Sequence, residues 1–394
     1  MKIEAIDFLI LEGEPVEPEW RPYRTMIEYP GSHKVRFGHK PFEGEGIKLT
    51  ARPSYTCILR IRTDENIETC GVFGSGFSRE QVEWEAQTFK LQWEPELLGT
   101  NALDREYMWH KMWMARRYFH MPSMLPLALI DQLLWDLAGL KAKLPVHKLL
   151  GGFRDRVPAY LTEASRNHEE TLKVAQRAKE LGYKGFKDHS MLGVEANLAL
   201  ARDLRELVGD EMVLMHDPVQ QYSVDDAIKV GRRLWELDYL WIEEPLQEVD
   251  IIGLKRLSDA IDLPVLALES NLGHPYVATP YLQSGAIDIV RNVAMGITGQ
   301  LKLANLAETF GMNAHGGHTQ VVAAVRNDDW YEHHARNAFK RHDNEITRPL
   351  TLAAAELIKE TFEVRDGYMY VPQTPGLGRE IDWEQIDART INTL

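Results

Sequence analysis

Beyond residue 155, short apolar runs alternate with longer stretches whose apolar residues recur every three or four positions. The runs are "RVPAYLT", "YKGFKDH", "MVLMHD", "LWIEE", "PVLALES", "IDIVRN", "GMNAH" and "DWYEH". Segments such as "HEETLKVAQRAKELG" and "VEANLALARDLRELVG" lie between them. Short runs of this kind read as buried strands, and the 3.6-residue period reads as amphipathic helix. Repeated strand–helix units predict a parallel sheet, and eight of them predict a closed (β/α)8 barrel over an open doubly wound sheet.

The first 125 residues are patterned differently and predict an α+β unit. "MKIEAIDFLI" alternates as a strand, and "TCILRIRTDENIETCGVFG" reads as two strands joined by a polar turn. "SREQVEWEAQTFKLQWEPELLG" predicts a helix opened by Ser78 and followed by Gly99. Residues 13–47 are rich in Pro, Gly, Arg and His. A connection of that length is functional or unstructured far more often than it is a plain linker, so it predicts a lid over the barrel mouth. Arg24, Arg36 and His39 would then offer donors to an anionic substrate, with Arg21, Lys34 and Lys40 nearby. An ordinary solvated loop or a subunit contact is the other reading of that segment.

Charge and composition narrow the classes. Acidic residues outnumber basic ones, 59 to 45, and no basic tract stands out, which argues against a nucleic-acid partner. No apolar run reaches the roughly 18 residues of a membrane span, and the start lacks a secretory pattern. The expectation is a soluble cytoplasmic protein. Cys57 and Cys70 flank the "TDEN" turn and could face each other across the hairpin, although buried free thiols are the plainer reading. No G-x-G-x-x-G, Walker or G-x-S-x-G motif occurs, so dinucleotide, P-loop and serine-hydrolase chemistry lack support.

In such a barrel, chemistry collects where strands end and the βα loops begin. Strand two ends in Lys187, Asp188 and His189, strand three in Asp217, strand four in Glu243 and Glu244, strand five in Glu269. Strand seven ends in His315, with His318 just beyond, and strand eight carries Glu332. Asp217, Glu243 and Glu269 are spaced 26 residues apart, about one β/α unit, which sets three carboxylates at one height on adjacent strands. Converging carboxylates repel unless a cation neutralises them, and an all-oxygen set suits Mg2+. A strand-end acid can also do no more than cap the next helix or pair with a nearby Lys or Arg. Adjacent residues point oppositely, so only one of Glu243 and Glu244 can face a metal, and Lys187 and His189 share a side while Asp188 turns away. "HGGH" leaves zinc ligation by His315 and His318 open, though zinc sites usually gather more ligands. His216 and His334 read as packing or surface residues.

These residues resemble the enolase superfamily in its mandelate racemase-like branch. "IDQLLWDLAGLKAKLPVHKLLGG" is similar to that family's link from capping domain to barrel, and "WIEEPL" and "PVLALESN" to its fourth and fifth strands. "DGYMYVPQTPGLGREID" is similar to its C-terminal return. The resemblance implies a modified, TIM-like (β/α)8 barrel over 126–362. It also implies an N-terminal α+β capping domain over 1–125 that residues 363–394 complete. It implies Asp217, Glu243 and Glu269 as Mg2+ ligands, Lys187 and His189 at the family's K-x-K positions, and His315 as the strand-seven base. Glu332 falls near the strand-eight acid that holds the substrate carboxylate or the enediolate.

Two departures stand out. His189 replaces the second lysine, and no strand-six aspartate is present to orient His315. Asn292 lies near its place and is expected among the substrate contacts, and Asp288 lies too early. The strand-seven segment is also compressed, so His318 remains a candidate for the role given to His315. The function implied is Mg2+-dependent dehydration of a hydroxy-carboxylate, an aldonate or aldarate, to a 2-keto-3-deoxy acid by a homo-oligomer. Racemisation, epimerisation or lactone cycloisomerisation would use the same enediolate. A metal-binding barrel without turnover, serving a regulatory role, is the alternative of another class.

Overall fold

The computed structural model describes residues 1–16, 52–118, 125–163, 167–269, 274–293, 295–335 and 357–394. Arg24, Arg36 and His39, with the rest of 17–51, lie outside them. Residues 13–16, expected to open the lid, instead continue the first strand. That strand, β1 (Ile3–Val16), pairs antiparallel with β2 (Arg52–Thr63), which pairs with β3 (Glu68–Gly76).

Alternation along these strands makes a sheet apolar on both faces. Ile6, Phe8, Ile10, Cys57, Leu59 and Ile61 face one core. That core is completed by Phe89 and Trp93 of helix α1 (Arg79–Leu97), by helix α2 (Arg105–Ala115), and by Leu127, Leu133 and Leu137 of helix α3 (Leu125–Ala142). Ser78 caps α1 as expected, its Oγ accepting from Gln81 N at 3.2 Å. Leu9, Leu11, Ile58 and Cys70 bury on the opposite face against Leu357 and Ile386. The two cysteines therefore do not face each other. Cys57 lies opposite Gly74 and Cys70 opposite Arg60, with a register shift after Cys57, and both thiols are buried and free.

All eight barrel strands form where the apolar runs predict them. They are β4 (Arg156–Glu163), β5 (Gly185–Asp188), β6 (Val213–His216), β7 (Tyr239–Glu243), β8 (Val265–Ala267), β9 (Ile289–Arg291), β10 (Asn313–His315) and β11 (Tyr331–His334). Parallel ladders run from β4 through to β10, and β11 returns to pair with β4. Between β10 and β11 the closure is made by a loop, where Ala314 N donates to Asn327 O at 2.9 Å.

Two-residue alternation fills the barrel in layers. Tyr160, Met215, Trp241 and Leu266, with Ile289 and Trp330, form an apolar floor. The next inward positions, two residues on, are Asp217, Glu243, Arg291 and Glu332, joined by Lys187 and His315. A dry floor beneath a charged layer fixes the height of the site.

The C-terminal segment touches both units. Strands β12 (Ile358–Glu360), β13 (Glu363–Arg365), β14 (Tyr368–Tyr370), β15 (Arg379–Ile381) and β16 (Thr390–Thr393) follow the barrel. Among them β14 pairs antiparallel with the start of β4, and β16 pairs with β1. Among the described residues, no helix is long and apolar enough to cross a membrane.

Candidate active site

Lys187 is 1% exposed, at the inward-facing end of β5, and its ammonium is enclosed by carboxylates. Nζ lies 2.7 Å from Glu243 Oε2, 2.8 Å from Glu332 Oε1 and 3.3 Å from Asp217 Oδ2. Burial alone would neutralise it, but Glu243, Glu332 and Asp217 outweigh that and raise its pKa above the ordinary lysine value. Lys187 is thus an ammonium at neutral pH.

A second cation, Arg291, closes the layer from β9. Its guanidinium lies 2.6 Å from Glu332 Oε2, 2.9 Å from Glu269 Oε2 and 3.3 Å from Glu243 Oε1. Sequence reasoning missed this residue. The signal was its parity with Ile289 in "IDIVRN", which turns both side chains inward. The same parity turns Asn292 away from the position expected for a substrate contact. Its backbone N donates to His315 O at 2.6 Å, and its amide approaches Gly317 beside Asp328. Gly316, at φ +87°, leaves room for Arg291 Nη1, which a Cβ there would overlap.

The strand-two triplet divides as alternation requires. Asp188 points out of the barrel and accepts from Ser190 Oγ at 2.6 Å, and its Oδ1 meets His216 Nδ1 at 2.7 Å. His216 Nε2 in turn meets Tyr222 OH at 2.9 Å, so this buried histidine locks the ends of β5 and β6 together. His189 faces the mouth, part-exposed, with Nε2 3.6 Å from Asp217 Oδ2.

His315 and His318 separate. His315 lies buried on β10 with Nε2 2.8 Å from Tyr160 OH and Nδ1 3.8 Å from Asp328 Oδ1. Burial and the Arg291 charge push its pKa down to about 3, so the ring is neutral. His318 instead caps the short helix Thr319–Val322, its Nδ1 accepting from Gln320 N at 3.2 Å. The charged groups acting on it are Glu360, Arg379 and Asp136, none of them in the charged layer. The expectation that His318 could replace His315, or join it on a zinc ion, does not survive this geometry.

Glu243 and Glu244 also part. Glu243 joins the cations. Glu244 turns to Glu248, and burial with that neighbour pushes its pKa up to about 10, so it stays protonated. Glu248, unnoticed in the sequence, accepts from the backbone N of Leu268 and of Glu269 and so holds the end of β8, where Leu268 takes φ +88°.

The donor set suits a hard divalent ion. Asp217, Glu243, Glu269 and Glu332 carry four negative charges against two from Lys187 and Arg291, leaving two to be balanced. Glu243 Oε1 is buried without a hydrogen bond, its nearest cation being Arg291 Nε at 3.3 Å. Lys187 and Arg291 lie between the carboxylates, and among the described residues no three His, Cys, Asp or Glu side chains close into a ligand group.

A (β/α)8 barrel whose strand ends gather four carboxylates, two cations and two histidines defines an enzyme for a small anionic molecule. Comparison with known proteins gives the family: residues 170–386 match the enolase C-terminal domain-like family, and the chain belongs to it, in the mandelate racemase-like branch of the enolase superfamily. It is similar to arabinonate dehydratase of Saccharolobus solfataricus, 29% identical over 73% of this chain and 79% of that one. It is also similar to L-talarate/galactarate dehydratase of Salmonella typhimurium, 32% identical over 63% and 61%. The structure of D-glucarate dehydratase from Agrobacterium tumefaciens complexed with magnesium superposes over the full length of both chains, with a TM-score of 0.77 and 28% identity.

Proposed function

We propose that this chain is a Mg2+-dependent dehydratase of a sugar acid, an aldonate or aldarate, yielding a 2-keto-3-deoxy acid. The observation that carries the reading is a cage of Lys187, Arg291, Asp217, Glu243 and Glu332, flanked by two histidines in unequal surroundings. The arabinonate, talarate/galactarate and glucarate dehydratases among its relatives support the same substrate class.

Asp217, Glu243 and Glu269 would hold Mg2+, which when bound supplies positive charge to the substrate carboxylate and to the enediolate. Lys187 and Arg291, both held charged, offer donors to the same oxygens, and Glu332 sets their positions. In this reading Lys187 contributes charge, and the base is the neutral His315. Its Nε2, now bonded to Tyr160, takes the α-proton. His189, on the side of the mouth nearest Asp217, gives a proton to the β-hydroxyl. The C–O bond then breaks with its electrons leaving on water, the α,β double bond forms, and the enol becomes the 2-keto acid. Two histidines with different partners fit a reaction that needs one base and one acid. Racemisation would need two bases of equal competence.

Incubation with Mg2+ and a panel of aldonates and aldarates tests this. A 2-keto acid formed with loss of water is the expected product. Exchange of the α-proton in deuterated water without dehydration would replace the reading by epimerisation. The absence of both across the panel would leave only a metal-binding barrel.

A further inference from the structure

We propose that Asp328, from the bend between β10 and β11, is the carboxylate that positions His315, holding Nδ1 so that Nε2 faces the barrel interior. The inference rests on the reading of His315 as the base. Asp328 is 0% exposed, and its Oδ1 has no hydrogen bond while lying 3.8 Å from His315 Nδ1. A hydrogen bond needs about 2.9 Å, so a shift of roughly 1 Å in ring or carboxylate completes it. Oδ2 is already engaged by Gly317 N at 3.2 Å.

The bend is built to hold that carboxylate. Asn327 O accepts from Ala314 N, the residue before His315, at 2.9 Å. Asn327 Nδ2 donates to Ala304 O and Met312 O, both at 3.0 Å. Arg154 donates to Asp328 O at 3.1 Å and Arg326 O at 2.7 Å. A loop fastened at this many points functions like a strand edge alongside β10. Asn292 cannot take the role itself, since an amide carries no charge to offset an imidazolium. It stands at the same corner: a Cβ on Gly317 would lie 3.0 Å from its Nδ2 and 3.1 Å from Asp328 Oδ2.

The other side of the ring agrees. Tyr160 is wholly buried with its pKa raised, so its hydroxyl keeps its proton and can donate to Nε2. That leaves the ring proton on Nδ1, facing Asp328. On proton abstraction the imidazolium would then meet a carboxylate on the side away from substrate, as an orienting acid does in a catalytic triad.

Ring-15N histidine spectra of the protein test this without substrate. There are fourteen histidines, and His315→Asn identifies the relevant signals by their loss. The wild-type His315 should show Nδ1 protonated and Nε2 bare. Asp328→Asn should move the proton toward Nε2 and lower kcat by about 10²- to 10⁴-fold, with KM changed by less than about 3-fold. The double variant Asp328→Asn/Asn292→Asp, which restores a carboxylate to the corner, should recover both. Unchanged His315 signals in Asp328→Asn overturn the proposal whatever the turnover. If that variant does not fold, a wild-type His315 protonated on Nε2 overturns it equally, and one protonated on Nδ1 supports it. Failure of every sugar acid to react would count against the dehydratase reading alone, because the spectra require no substrate.

Discussion

Arg291 Nη2 meets Glu332 Oε2 at 2.6 Å while Lys187 Nζ meets the other oxygen of the same carboxylate at 2.8 Å. Glu332, 10% exposed, is thus held between two cations, and burial alone would make it an acid. The pair overcomes that and holds its pKa well below the usual carboxylate range. Arg291→Met leaves Glu332 and Glu243 buried with one cation between them. Breaking a buried pair from one side costs about 3–5 kcal/mol, so the denaturation midpoint should fall accordingly. Arg291→Lys should recover less than half of it, because an ammonium cannot reach three carboxylates as a guanidinium fork does. A midpoint unchanged in Arg291→Met would mean the cage is not structural.

The two histidines of "HGGH" should respond in opposite ways. His315→Asn removes the proposed base and should reduce kcat by roughly 10²-fold or more. His318→Ala removes a helix cap, worth about 1 kcal/mol of stability, and should leave kcat within about 2-fold. Steady-state rates with a thermal melt on each variant separate the roles. Equal loss of kcat in both would reinstate His318 at the site.

Metal removal gives a third expectation. Stripping the protein with a chelator should abolish turnover, and Mg2+ should restore it. The two negative charges by which Asp217, Glu243, Glu269 and Glu332 exceed Lys187 and Arg291 would be neutralised on binding, so Mg2+ should also stabilise the fold, by about 2.7 kcal/mol at a hundredfold excess over Kd, and raise Tm. Glu243→Gln should blunt both effects. A melting temperature indifferent to Mg2+ would place the ion elsewhere or nowhere.

The eight strands were legible because each is a short apolar run, and helical periods separate the runs from β4 through to β10. Lys187, Asp217, Glu243, Glu269, His315 and Glu332 were legible as candidates because each stands in the last three positions of such a run. Arg291 was not. Its strand has three residues, and only parity with Ile289 shows which of Arg291 and Asn292 turns inward. Asp328 was hidden for another reason. It sits in an irregular bend, where no period relates a residue to a face. Buried free thiols, the plainer reading of Cys57 and Cys70, are what the structure holds. A meeting across the hairpin fails because Cys70 lies opposite Arg60, an odd number of residues from Cys57, which puts the two thiols on opposite faces of one sheet.

Asp131 predicts a pH dependence seated away from the mouth. It is 0% exposed on α3 and accepts from Thr298 Oγ1 at 2.7 Å and Thr298 N at 2.9 Å, pinning α3 to the barrel helix Gly296–Thr309. Burial pushes its pKa from 3.8 up to about 7. The folded state then binds a proton that the unfolded chain has released, so this contribution is present below about pH 4 and lost as pH rises through 7. Asp328, raised to about 7 by burial, has the same sign, and it faces His315 as a carboxylate above that pH. Stability should therefore fall between pH 5 and 8 more steeply in the wild type than in Asp131→Asn, as read from melts across that window. Parallel profiles would show that Asp131 is ionised throughout.

The buried thiols give the last expectation. Cys57 and Cys70 are each 0% exposed, and burial raises both pKa values, that of Cys70 to about 12. Only the thiolate attacks a disulfide reagent, so the folded protein should release no thiol to such a reagent at neutral pH. Denaturant should release both at once, since each belongs to a cap-sheet core that unfolds as a unit. Mass measurement on the untreated chain should show two free thiols, because side chains on opposite sheet faces point apart and cannot be bridged. One thiol reacting ahead of the other in the absence of denaturant would show that one face of the cap sheet opens independently. Early reaction of Cys70 would identify the C-terminal cover as the part that moves first, and early reaction of Cys57 the helical side.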